Sequence, residues 1–148
     1  MINQEVSLSV TGVKETVTAL YAYSQQLGDR VIRGALRQGA NYVKRGISDA
    51  APVRTGKLRK GFRVARSKIH NGKRSTDLIG VFIGLRKGKD SPFYGRFQED
   101  GWQAGKTKVP GKKFVQKAFE QRKAAAVQLI VRSAEAGAAV VKRKLGMK

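Results

Sequence analysis

Ala51-Pro52-Val53-Arg54-Thr55-Gly56-Lys57-Leu58-Arg59 stands between two amphipathic segments of different period and marks where helix gives way to sheet. Pro52 lacks a backbone N–H and disfavours helical geometry at Ala51, so a helix arriving from the N-terminal side stops there. Thr55-Gly56 supplies turn chemistry before the chain restarts at Leu58. Upstream, Val13, Val17, Leu20, Leu27, Val31, Leu36, Val43 and Ile47 recur near helical spacing, and Tyr21, Ile32, Ala35 and Tyr42 widen the stripe. Gly28-Asp29 is expected to interrupt it, giving a shorter helix to about Leu27 and a longer one from about Asp29 to Asp49 with Asp29 as N-cap. Gly34, Gly39 and Gly46 each cost up to roughly 1 kcal/mol relative to alanine inside a helix. Either they allow close packing against a sheet or a neighbouring subunit, or they are simply tolerated.

Further out on the N-terminal side, Val6, Leu8 and Val10 alternate with Glu5, Ser7, Ser9 and Thr11, the period of a half-buried strand, which Gly12 ends. After the turn, Leu58 falls on a short helical turn, and Phe62, Val64 and Ile69 suit a strand. His70-Asn71-Gly72-Lys73 reads as a hairpin loop. Leu78 to Leu85 is an apolar run of strand length expected in the middle of the sheet, with Gly80 and Gly84 marking a bulge or a close backbone approach. Arg86 to Ser91 is expected as a loop, Pro92 to Asp100 as a short helix or turn, and Gly101 to Lys113 as a longer loop that orders against a partner.

Phe114 to Lys144 is the longest uninterrupted pattern, with Phe114, Ala118, Phe119, Ala126, Leu129, Ile130, Ser133, Ala136, Val140 and Val141 on its apolar face. Ala134, Ala136, Gly137, Ala138 and Ala139 have too little side chain to fill a wide core, so this end either packs closely on another helix or projects as an assembly arm. These segments predict one α+β domain over residues 1–148: a small, mainly antiparallel β-sheet with a long central helix and a long C-terminal helix.

The 148-residue chain can bury roughly 68 to 70% of its unfolded surface, enough to fold without staples. It has no cysteine, which excludes a disulfide scaffold and thiol-based metal or redox sites. No apolar run is expected to approach the roughly 20 residues of a membrane span, and Met1-Ile2-Asn3-Gln4 lacks the order of a signal peptide. A soluble, non-secreted protein with no membrane partner is therefore expected.

Charge is the second strong signal: 31 Lys and Arg against 10 Asp and Glu give a formal net charge of +21. Such an excess repels itself in the compact state and favours polyanions or acidic protein surfaces as neighbours, although scattered lysines also serve simply as a solvated surface. The charge clusters in expected loops: Arg63, Arg66, Lys68, Lys73 and Arg74; Arg86, Lys87 and Lys89; and Lys106, Lys108, Lys112 and Lys113.

The inventory of reactive groups is thin. His70 is the sole histidine and lies among Lys68, Asn71 and Lys73, surroundings of a solvated residue rather than a metal ligand or general base. Zinc spacing, a phosphate-cradling glycine loop and a nucleophile elbow are all missing. Adjacent Glu99 and Asp100 do not face one reacting bond, so helix capping or ion pairing is their expected role. Tyr94, Phe97 and Trp102 are expected to close one end of the core. No catalytic residue, metal or cofactor is expected.

Two further pieces follow the opening stretch: Tyr94-Gly95-Arg96-Phe97-Gln98-Glu99-Asp100-Gly101, and then Val109-Pro110-Gly111-Lys112-Lys113-Phe114 running into Val115-Gln116-Lys117-Ala118-Phe119. In this order and spacing they resemble the small tail-component family of long-tailed double-stranded DNA bacteriophages, the lambdoid gene-product-ten-like family, described as tail-completion, neck or head-tail joining proteins. The residues that carry the resemblance are Ala51, Pro52, Val53, Thr55, Gly56 and Leu58, then Tyr94, Glu99 and Gly101, then Pro110, Phe114, Ala118 and Phe119. Trp102 departs from it, since a small hydroxyl residue is more usual after that glycine.

The resemblance implies a structural, non-enzymatic virion protein of the tail or neck, assembled in the host bacterial cytoplasm. It implies a homo-oligomeric, hexameric ring, with tail tube or tail terminator proteins and head-tail connector or stopper proteins as partners. The basic loops, including Arg63, Arg66, Lys68, Lys73, Arg74, Lys106 and Lys108, would then meet DNA phosphates without sequence preference, or acidic rims of neighbouring rings. The alternatives are a tail terminator capping the tube and a basic nucleic-acid-binding protein.

Overall fold

A computed structural model describes residues 25–66, 80–88, 91–144 and 146. The expected strand at Val6 to Val10, the helical residues before Gln25, the His70 loop, Ile69 and the start of the run at Leu78 lie outside the described residues. So do Lys68, Lys73, Arg74 and Lys89.

Helix α1 (Gln25–Ala50) runs without a break through Gly28-Asp29. The expected interruption and the Asp29 N-cap are therefore wrong: Gly28 is a buried helical residue and Asp29 lies inside the helix, 3.5 Å from Arg33 one turn on. A penalty of about 1 kcal/mol for one glycine is smaller than what burial of a long apolar stripe contributes, so packing keeps the helix whole. The helix does stop at Ala50, before buried Ala51 and Pro52.

Gly56 then takes φ 72, the left-handed region that needs no Cβ, and starts the short helix α2 (Lys57–Gly61). Leu58, 2% exposed, anchors it in the core. Strand β1 (Phe62–Arg66) follows directly and pairs antiparallel with β2 (Val81–Leu85), Phe62 opposite Leu85 and Arg66 opposite Val81. The ladder is continuous, so Gly84 marks no bulge; the ring of Phe82 lies against it. Among the described residues β2 pairs with β1 alone and Phe82 is half exposed, so the apolar run is less enclosed than its composition suggested.

Helix α3 (Gly95–Asp100) fulfils the expectation for the segment from Pro92. The following stretch corrects one. Gly101 to Lys113 is not a loop: β3 (Gly101–Ala104) and β4 (Thr107–Pro110) form a second antiparallel ladder around a two-residue turn, Gly105-Lys106. Gly105 has φ 60, the conformation that lets a two-residue turn match the twist of its strands. Helix α4 (Phe114–Lys144) completes the chain.

The two long helices make the body. Val31 meets Gly137, Gly39 faces Ile130 and Gly46 faces the stem of Arg122, so residue numbers rise along α1 as they fall along α4 and the pair is antiparallel. Ala118, Ala126, Ile130, Ala134 and Ala138 line the buried side of α4, against Ala35, Val43 and Ile47 of α1. Small side chains let the backbones approach closely, which is why Gly39 and Gly46 are packed while Gly34 faces open space. Of the late small residues of α4, Ala134 and Ala138 are buried and Gly137 faces Val31 of α1, whereas Ala136, Ala139 and Val140, the first and last of them expected on the apolar face, are exposed.

At the other end, Val43, Ile47, Ala51, Leu58, Phe114 and Ala118 form the main core, closed by half-buried Phe62, Ile83, Leu85, Tyr94 and Phe119. Phe62 and Phe114 meet edge to face at 6.2 Å. Around this core the architecture is α+β.

Candidate assembly site

The two motif segments close the ends of the two long helices. Arg59, one turn into α2, donates from Nε to the Ser48 carbonyl at 3.1 Å and from Nη2 to that of Asp49 at 3.2 Å. Those carbonyls belong to the last turn of α1 and have no helical partner of their own, and a cation suits the negative end of the helix dipole. Glu99 does the converse for α4. Its carboxylate accepts the backbone N–H of Val115 at 2.8 Å and that of Gln116 at 3.1 Å, satisfying two orphan donors of the first turn with an anion at the positive end.

Backbone contacts lock the junction behind Glu99. Lys112 donates its N–H to the Gln98 carbonyl at 2.8 Å and Lys113 to that of Glu99 at 3.2 Å. The ammonium of Lys113 lies 3.0 Å from the Asp100 carboxylate, which Arg96 also approaches. Gly101, at φ 86, is pressed against the Val109 carbonyl and the Gly111 amide, and Gly111 against the Glu99 carbonyl, so a side chain at either would collide with main chain. Glu99 and Asp100 are thus a cap and an ion-pair partner.

From this root the β3–β4 hairpin leaves the body. Its residues from Trp102 to Lys108 are all exposed. Opposed residues of an antiparallel pair share a face and alternate residues share it too, so Trp102, Val109, Ala104 and Thr107 stand together while Gln103 and Lys108 stand on the other side. Lys106 is in the turn. Of the aromatics expected to close the core, only Tyr94 does so; Phe97 is 46% and Trp102 42% exposed. Phe93, beside Tyr94, is 73% exposed. Phe93 stands in a turn, Phe97 on helix α3 and Trp102 on the hairpin, placements that the aromatic composition did not disclose.

The remaining motif residues separate by role. Leu58, Phe114 and Ala118 are buried in the main core, and Phe119 packs against it. Pro52 is half-buried and Thr55 exposed in the α1–α2 turn, and Pro110 is exposed opposite Gly101. Among the basic residues, Arg63 and Arg66 are exposed on β1 three positions apart, hence on opposite faces. The structure therefore does not gather Arg63, Arg66, Lys106 and Lys108 into one row. Among the described residues no cluster of His, Asp or Glu could hold a metal.

Arg122 was not singled out in the sequence. Its guanidinium stands 5.0 Å from the Tyr42 ring centroid, 3.4 Å from the Tyr42 carbonyl and 3.8 Å from the Asp49 carboxylate, seated in the gap that Gly46 leaves. By length and composition α4 also passes as a membrane-crossing helix, with mean hydropathy 1.4 over its most apolar window. The sequence reading missed this because Arg132 and Glu135 break the run; in the fold 22% of that window is buried, including Ala126, Ile130, Ala134 and Ala138.

Compared with known protein families, residues 14–101, more than half of the chain, match the HK97-gp10-like family, described as "Bacteriophage HK97-gp10, putative tail-component". The match takes in the Ala51 to Arg59 stretch and ends at Gly101. No curated protein sequence and no solved structure matches the chain significantly.

Proposed function

The chain belongs to the HK97-gp10-like family of bacteriophage tail components, and from that premise we propose that it forms a closed ring at the tail end or neck that completes the tail and helps join it to the head. The family match carries this reading. It makes the protein a structural component of the virion tail; the position at the neck, the ring and assembly in the host cytoplasm are our extension. Rotational closure is the ordinary way for many copies of one small chain to build a tubular particle. The charge of +21 supports acidic protein neighbours or DNA phosphates on at least one side of such a ring.

A stop codon in this gene of an otherwise intact phage tests the proposal by electron microscopy. DNA-filled heads beside separate tails of normal length are expected, with native mass spectrometry of the purified protein giving one closed, hexameric species. Normal virions would overturn the proposal. Tails of irregular length would instead make the protein a tube terminator.

A further inference from the structure

The β3–β4 hairpin combines three properties that a surface ribbon rarely keeps without a purpose. One face is apolar, with Trp102, Val109, Ala104 and Thr107 together, and an isolated two-stranded ladder is marginal in water unless something covers such a face. The root, by contrast, is fixed by Gly101 and Gly111 pressed against main chain and by the Glu99 cap of α4. Finally, residues 101–113 contain four lysines and no acidic residue. Lys113 pairs with Asp100, whereas Lys106, Lys108 and Lys112 have no ion pair among the described residues.

We propose that this hairpin is a docking arm whose apolar face seats in an apolar groove rimmed by Asp and Glu on a different protein of the same assembly. The inference rests on the tail-end reading and names the partner's chemistry.

Charge selects the occupant. A second copy of the chain would bring the same large positive excess, and of its six described acidic residues Asp29, Asp49, Asp100 and Glu120 already pair with a base and Glu99 caps a helix, which leaves Glu135 on α4 as the single one to answer three lysines. Nucleic acid would accept the lysines through its phosphates and stack a base on Trp102, but beyond scattered thymine methyl groups it has no continuous apolar surface to cover Val109, Ala104 and the Thr107 methyl group as well. A protein groove with an acidic rim satisfies both. In such a contact a half-exposed Trp is the side chain most suited to be the central anchor, with the lysines at the rim setting association rate and salt dependence.

The test uses tails and heads isolated separately from phage lacking this protein, mixed with the purified wild type and with Trp102→Ala, Thr107→Asp and the double variant Lys106→Glu/Lys108→Glu. Wild type should bind one of the two particles, and bind it more weakly as salt rises. Trp102→Ala and Thr107→Asp should weaken that binding roughly tenfold or more, and the lysine variant should weaken it and flatten its salt dependence. All three should keep the wild-type circular dichroism spectrum and oligomeric state, because the substituted residues are exposed.

Variants that bind the particles as wild type does would overturn the docking arm and leave the tail-end reading standing. A wild type that binds neither particle would overturn both. Loss of the homo-oligomer in Trp102→Ala would assign the face to a second copy. Loss confined to binding of a 30-nucleotide single strand or a 30-base-pair duplex would assign it to nucleic acid. Either result would overturn the proposal.

Discussion

Glu99 does its structural work sixteen and seventeen residues away, on the amides of Val115 and Gln116. Removing it leaves two donors at the positive end of α4 with only water to bond. Glu99→Ala should therefore cost roughly 1 to 2 kcal/mol, or about 3 to 6 °C in melting temperature for a chain of this size. Glu99→Gln keeps one oxygen acceptor without the charge and should fall between. Urea titrations of the three proteins check this, and superimposable midpoints would show that the cap contributes nothing. Capping or ion pairing could be expected for Glu99 from sequence, but the helix it caps could not, because the bond joins elements distant in the chain. Arg59 was hidden for the same reason. Gly56 and Leu58 were legible because a turn beside a proline and a buried leucine declare themselves within a few residues.

Between the long helices, close approach depends on the small side chains of α4 and on Gly39 and Gly46 of α1. The C-terminal half of α4 thus belongs to the fold. Truncation after Gln128 removes Ile130 and Ala134, and with them most of the second apolar cluster, where Ala35 would be uncovered. A loss of at least about 3 kcal/mol is expected, judged from the usual cost of deleting one large buried aliphatic side chain. Circular dichroism melts settle it, and a truncated chain as stable as the full one would mean that this half of α4 serves only contacts outside the chain. Helical periodicity made α1 and α4 readable, since long stripes average over single exceptions such as Gly28. The β3–β4 hairpin was not readable, because four-residue strands carrying Gly, Gln, Lys and Pro give little alternation to detect. Gly105-Lys106 between Trp102-Gln103-Ala104 and Thr107-Lys108-Val109 was the available signal.

For the molecule as a whole, +21 on 148 residues is a strain distributed over the surface. Screening should relieve it, so the melting temperature is expected to rise between about 20 mM and about 300 mM sodium chloride, where the Debye length falls from roughly 20 Å to below 8 Å. A melting temperature that falls or stays level over that range would mean that the charges are already compensated within the fold. The antiparallel run of α1 and α4 has a consequence of its own. It puts the end of α1, the start of α4 and the root of the hairpin at one extremity, and Gln25 and Lys144 at the opposite one, with 26 residues of α1 spanning about 39 Å between. The subunit consequently has a head and a foot. In the proposed ring, subunits whose helix pair runs along the rotation axis would carry all their hairpins on one rim and all their helix tips on the other. Such an object has two unlike faces, so a neighbour that fits one does not fit the other, and the direction of a column built on it would be inherited from the polarity of each chain.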